Sequence, residues 1–153
     1  MRIVLDTNIL IRASAKARRP ARALLMLIAA SASHRLLLSP FLLNELKRVL
    51  SYDRIRVSAR LTDSDAEEYI AYLETEGFTE RIDPGAPPRV VPSDPDDDAV
   101  VHLAVVGEAD VLCTLNRDFY APEVVGYCRS RGVLVCGDLE LLALLRNFKQ
   151  IHN

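Results

Sequence analysis

Asp6, Glu45 and the cluster Asp94, Asp96, Asp97 and Asp98 are the residues of this 153-residue chain best suited by type and placing to do chemistry. Carboxylates accept protons and are hard oxygen ligands. Asp6 closes the apolar run "RIVL", Glu45 lies within "SPFLLNELKRVL", and the four aspartates of "PSDPDDDAVVHLA" stand directly before small and aliphatic residues. Each has an ordinary explanation. Asp6 suits an Asx-type turn after a strand, and Glu45 can pair with Arg48 one turn on. Asp94 can cap a helix that starts at Pro95, with Asp96 to Asp98 as a negative first turn worth about 0.3–1 kcal/mol per charge. Helical periodicity tests the alternative that an acid points inward. Glu45 borders the stripe of Leu42 and Val49. Asp97 shares a face with Val100, Val101 and Ala104. Asp98 lines up with Val101 and Val105 but also with His102, so periodicity slightly favours Asp97 as the inward acid.

If Asp6, Glu45 and one of these two meet, the charges must be compensated. Two carboxylates ~5 Å apart repel by roughly 3 kcal/mol at an effective dielectric of 20. Such a group binds protons or a cation, and hard oxygens suit Mg²⁺ or Mn²⁺. No His/Cys cluster competes for zinc. His34, His102 and His152 are scattered and read as surface positions. Cys113, Cys128 and Cys136 are odd in number, contain no C-x-x-C pair and read as reduced core residues, a usage that fits a cytoplasm.

The elements that must position these acids follow from the apolar pattern. "RIVLD", "RLLLS", "DVLCTL" and "VLVC" read as four short buried strands. Helices are expected over "ARALLMLIAASAS", over "SPFLLNELKRVL" with Ser39 as cap, over "LTDSDAEEYIAYLETEG", from about 96 to 106 before Gly107, over "PEVVGYCRSRG" and over "DLELLALLRNF". The proline-rich "ERIDPGAPPRVVPSDPDD" reads as extended connection. Strands alternating with helices imply a mainly parallel sheet covered on both faces, with sites beyond the carboxyl ends of the strands. Asp6 and the segment Thr114 to Asp118 fall at two such ends. The length suits one domain over residues 1–153. No apolar stretch reaches the ~18 residues of a membrane span, and "MRIVLDTN" meets an acid too early for a signal peptide. Residues 1–60 carry a balance of +9 and the remainder −11, so the basic half can attract phosphates or simply attract the acidic half.

"IVLDTNIL", "SPFLLNELKRVL", "DPDDDAVVHLA" and "ADVLCTLNRDF" occur in the order and spacing of the PIN-domain nucleases, which include VapC-type toxins, and the chain resembles that family over nearly its whole length. The resemblance implies a three-layer α/β/α sandwich and a divalent-metal site, with Mg²⁺ or Mn²⁺, that cuts RNA. It makes Asp6 the first catalytic acid, with Asn8 in support, and Glu45 the second. The third stands about sixteen residues before the strand-end Thr114, which gives Asp98, with Asp97 as the alternative. The fourth position is occupied by Asn116, a departure from the family's acid, and Asp118 is placed to substitute. The resemblance further implies that the metal polarises the scissile phosphate and activates a water, leaving 5′-phosphate and 3′-hydroxyl ends. Arg12, Lys16, Arg18 and Arg19 of the basic arm, with Arg54, Arg56 and Arg60, are candidates for holding the RNA backbone. A small antitoxin and a second copy of the chain are the expected protein partners. Two rivals remain. A phosphotransferase with an aspartyl nucleophile would want a second Asp where Asn8 stands. A PIN-like domain that binds RNA or protein without cutting is compatible with Asn116.

Overall fold

The computed structural model describes residues 1–16, 19–75 and 77–151. Five strands form one sheet: β1 (Arg2–Leu5), β2 (Arg35–Leu38), β3 (Thr79–Arg81), β4 (Val111–Cys113) and β5 (Leu134–Cys136). Their order is β3-β2-β1-β4-β5 and every pairing is parallel. Parallel strands need crossover helices, which bury both faces and explain the unbroken apolar runs in β1, β2 and β4. The helices are α1 (Thr7–Ser14), α2 (Pro20–Ala29), α3 (Pro40–Leu50), α4 (Asp53–Ala59), α5 (Asp63–Leu73), α6 (Pro95–Val106), α7 (Pro122–Arg129) and α8 (Asp138–Ile151). Together they flank the sheet as a three-layer α/β/α sandwich. α6 packs across β1, β2 and β4, while α2 packs on β2 and α8.

Local chemistry sets the helix starts around the sheet's carboxyl edge. Asp6 accepts from the Thr7 amide to cap α1, Ser39 caps α3 through the Leu42 amide, and Asp94 caps α6 through the Asp96 amide. Proline occupies the first position of α3 and α6, where its missing N–H costs nothing. The far end of α6 stops at Gly107, a position with no room for a side chain. A Cβ there would lie 2.7 Å from the Leu37 side chain and 2.8 Å from the Leu103 carbonyl oxygen.

Three elements depart from the sequence expectation. β3 lies where an extended connection was expected from Glu80 onward. Its residues are half-buried or exposed at a sheet edge, so no apolar run marks it; pairing with Leu36 to Leu38 and a bidentate clamp from Arg2 onto Glu80 hold it. α1 and α4 were likewise not expected as separate helices. His34 is buried rather than at the surface, because the terminal amine of Met1 and the Phe148 ring enclose it. His102 is half-buried, with its Nε2 3.0 Å from the Pro84 carbonyl, and His152 lies outside the described residues. The three cysteines are free and buried, as expected.

Candidate metal centre

The sheet reverses its winding at β1. The chain proceeds from β1 to β2 on one side and returns to add β4 on the other, so a crevice opens between the carboxyl ends of β1 and β4. Asp6 follows β1 and Thr114 follows β4. The Asp6 amide donates to the Cys113 carbonyl at 2.9 Å, which continues the ladder one step and fixes the acid at the crevice floor.

Asp6 is buried, and three donors hold its carboxylate. Oδ1 accepts from the Thr7 amide at 2.7 Å, and Oδ2 accepts from Thr114 Oγ1 at 2.6 Å and Asn8 Nδ2 at 2.8 Å. Asn8 spans the crevice, since its Oδ1 accepts from the Leu115 amide at 3.3 Å. Thr114 Oγ1 accepts in turn from the Asn116 amide at 3.0 Å. Burial raises the Asp6 pKa above the usual carboxylate range. The donors counter this in part, and the charge of Glu45 adds to the rise.

Glu45 enters from α3, its side chain 22% exposed. Thr7 Oγ1 donates to its Oε2, and Arg48 Nη2 stands 3.9 Å from Oε1, too far for a direct hydrogen bond. Thr7 therefore joins the first acid's turn to the second acid's helix. The sequence reading did not single it out, although its place beside Asp6 was the available signal.

Asp97 and Asp98 face different surroundings. Asp98 is 1% exposed and is turned into the proline-rich connection, where its Oδ1 accepts from the amides of Val90 at 2.8 Å and Val91 at 2.6 Å. Its Oδ2 accepts from Arg89. Burial opposes ionisation, but the Val91 and Val90 amides and Arg89 prevail and hold the Asp98 pKa below its ordinary value. Motif spacing points to Asp98 as the third acid, and in the fold three donors of this loop engage its carboxylate. The Asp97 carboxylate instead accepts from Asn116 Nδ2 at 2.9 Å. Burial, and then the charges of Asp6, Asp94 and Asp118, push Asp97 up to about 7. The inward direction that periodicity favoured is the one that faces Asp6.

Asn116 has two duties. Beyond its bond to Asp97, its Oδ1 accepts from the Asp118 amide at 3.1 Å and caps the short 3₁₀ turn Arg117–Tyr120. Asp118 is exposed on that turn and acts on Asp97 through its charge.

The donor set is carboxylates, amides and hydroxyls, with no thiolate or imidazole. Among the described residues no group of three His, Cys, Asp or Glu side chains is close enough to cage an ion. Mg²⁺ is usually bound through one or two carboxylates and keeps several waters. A hydrated hard cation therefore fits, and the raised Asp6 and Asp97 pKa values are the charge it would relieve.

The basic arm is less available than its composition implied. Lys16 pairs with Asp65 at 2.9 Å, and Arg12 lies 3.9 Å from the buried Asp138. Arg56 pairs with Asp63, while Arg18 lies outside the described residues. Four ion pairs, Arg2–Glu80, Arg12–Asp138, Lys16–Asp65 and Arg56–Asp63, join the basic first 60 residues to the acidic remainder. Part of the charge asymmetry therefore serves the fold.

The fold has counterparts among known proteins. A PIN domain family model matches residues 2–118. No curated protein matches the chain in sequence. Among solved structures, the chain is similar to "VapBC2 from Rickettsia felis bound to a DNA fragment from their promoter". The TM-score is 0.57 at 18% identity, over 90% of this chain and 98% of that one, which is a likeness of fold. With the family model spanning β1, the acid-bearing α3 and α6, and the strand end at Thr114, the chain belongs to the PIN domain family.

Proposed function

We propose that the protein is a divalent-metal-dependent endoribonuclease, the toxin of a type II toxin–antitoxin pair, with Asp6, Glu45 and Asp97 as its acids. The observation that carries this reading is that the charge of Asp6 meets that of Glu45 on one side and that of Asp97 on the other, at the crevice between β1 and β4. Glu45 raises the Asp6 pKa, and Asp6 raises that of Asp97. Uncompensated carboxylates at the carboxyl edge of a parallel sheet are a place for a cation and an anionic substrate. The VapBC2 likeness supports a toxin with an antitoxin partner, since VapC-type toxins are the family members whose motifs this chain resembles.

Asp6 and Asp97, with Glu45 acting through the ion's retained waters, would hold hydrated Mg²⁺ or Mn²⁺, which when bound polarises a phosphate oxygen and lowers the pKa of an attacking water. The remaining work falls to this chain's own side chains. Thr114 and Asn8 hold Asp6 Oδ2 while the Thr7 amide holds Oδ1, so that the carboxylate does not reorient when charge arrives. Thr7 sets the direction of Glu45, and Asn116 that of Asp97. Asp118, exposed beside them, adds negative field without lying on the crevice floor. Asp98 serves the site indirectly by fastening the connection that leads into α6.

The test is incubation of purified protein with a mixed RNA pool, with and without chelator. Cleavage that needs Mg²⁺ or Mn²⁺ and is lost in Asp6→Asn, Glu45→Gln and Asp97→Asn supports the assignment. Cleavage that persists in chelator and in all three variants removes it.

A further inference from the structure

Beside Glu45, α3 and the start of α6 enclose an open pocket of about 350 Å³, lined by Phe41, Asn44, Glu45, Arg48 and Asp96. Its residues divide by chemistry. Phe41, at the amino end of α3, is 40% exposed although it is a large aromatic. Asn44 and Asp96 are exposed, and neither side chain's polar atoms hydrogen-bond to another described residue. Arg48 is drawn away along α3, where its Nη1 donates to Tyr52 Oη at 3.1 Å. The pocket thus presents an aromatic face, one unengaged amide and two carboxylates, of which Asp96 is unengaged, against one guanidinium.

That balance decides what fits. A phosphate entering here would meet both Glu45 and Asp96 and be repelled. A neutral planar group rich in N–H donors would stack on Phe41 and donate to Asp96 and the Asn44 oxygen. An unpaired nucleobase has both properties, and aromatic side chains take up such bases from single strands. Guanine fits best, because its adjacent ring N–H and exocyclic amino group point in parallel and match the two oxygens of a carboxylate. Because Glu45 is shared, a base seated here belongs to a nucleotide next to the phosphate at the crevice.

We propose that this pocket is a nucleobase subsite, which takes an unpaired guanine of the RNA strand on Phe41 and reads its donor edge with Asp96 and Asn44. It rests on the endoribonuclease reading and adds an unpaired guanine at a fixed place relative to the cut. Two arms test it. In chelator, labelled single-stranded oligonucleotides carrying one guanine, one adenine or one abasic position are titrated by fluorescence anisotropy. The guanine strand is expected to bind most tightly, and Phe41→Ala to weaken it about tenfold, the scale of one lost stacking contact. Phe41→Tyr should retain binding, and Asp96→Asn should bring guanine and adenine to equal affinity. In the second arm, with Mn²⁺, cleavage sites in a random-sequence RNA are mapped for the native protein and Asp96→Asn. A guanine preference present in the first and lost in the second supports the subsite.

Equal binding of guanine and abasic strands, or Phe41→Ala protein with native circular dichroism and unchanged affinity, overturns it. Failure of all cleavage with base-selective binding intact would sink the nuclease reading and leave the subsite standing. Cleavage with no base selectivity in either arm would do the reverse.

Discussion

Asn116 donates to Asp97 at 2.9 Å while its own carbonyl caps the turn that carries Asp118. The amide, at a position where the resemblance leads to the expectation of an acid, is therefore a hydrogen-bonded brace between α6 and the loop after β4. It satisfies Asp97 without a metal, which an aspartate in its place would not do. Asn116→Asp should accordingly lower the metal-free melting temperature by adding a carboxylate against Asp97, and should tighten Mg²⁺ or Mn²⁺ binding in calorimetric titrations. If the added acid leaves affinity unchanged, Asn116 lies outside the metal's reach. Asp118→Ala should weaken binding more in the native protein than in Asn116→Asp, because the new carboxylate would replace the lost field.

The neighbouring aspartates should separate under the same substitution. Asp97→Asn is expected to abolish cleavage while leaving the fold as stable as before, or more so, in chelator. Asp98→Asn weakens a charged acceptor for the Val90 and Val91 amides and for Arg89, and should cost about 2 kcal/mol of stability. Its catalytic loss should be partial and should recover at lower temperature. Denaturant melts paired with an RNA assay read both quantities. Equal stability of the two variants would mean that the loop does not depend on Asp98.

A pH dependence follows from Asp97. Burial and the charges of Asp6, Asp94 and Asp118 raise it to about 7 in the fold, whereas a free aspartate titrates near ~4. Between these values the folded chain keeps a proton that the unfolded chain has released. The protonated acid thus supports the fold fully below about pH 4, and this support is lost as pH rises through about 7. Asp6, also raised, acts in the same direction. His34, whose pKa burial lowers, acts in the opposite one, so the comparison with Asp97→Asn isolates the aspartate. In chelator, the native melting temperature should fall relative to that of Asp97→Asn between pH 5 and pH 8. Added Mg²⁺ should restore it at pH 8. Parallel curves for the two proteins would contradict this account.

The residues legible in the sequence were those fixed by their immediate neighbours. Asp6 and Asn8 follow from a strand end, because a buried run stopped by an acid leaves the backbone little choice. Glu45 could be read from α3, whose apolar stripe is regular. The surroundings of Asp97 and Asp98 could not be read from spacing alone. The direction of a helix's first turn depends on what the incoming chain offers, and here the amides of residues 90 and 91 and the guanidinium of Arg89 capture Asp98. The same limit hid β3 and His34. A half-exposed edge strand is defined by its partner β2, and the burial of His34 depends on Phe148 at the other end of the chain. Phe41 and Asp96 are far apart in sequence, so no motif could join them in one pocket.

Thr7 offers the most direct test that the first two acids work as one unit. Its hydroxyl donates to Glu45 Oε2, while its amide donates to Asp6 Oδ1 at 2.7 Å, so one residue touches both carboxylates. Thr7→Val keeps the shape and the amide but removes the hydroxyl, which frees Glu45 to swing toward Arg48. The loss of one hydrogen bond to a charged group, about 1.5–3 kcal/mol, sets the largest effect to expect. Metal affinity should fall by about tenfold or more, and cleavage at limiting metal should fall with it. At saturating Mn²⁺ most of the rate should return, because the metal itself then orders Glu45. Thr7→Ser should behave as the native protein in both assays, which a purely steric role for the threonine would not require. A Val variant with native metal affinity would show that Glu45 is held by its helix alone.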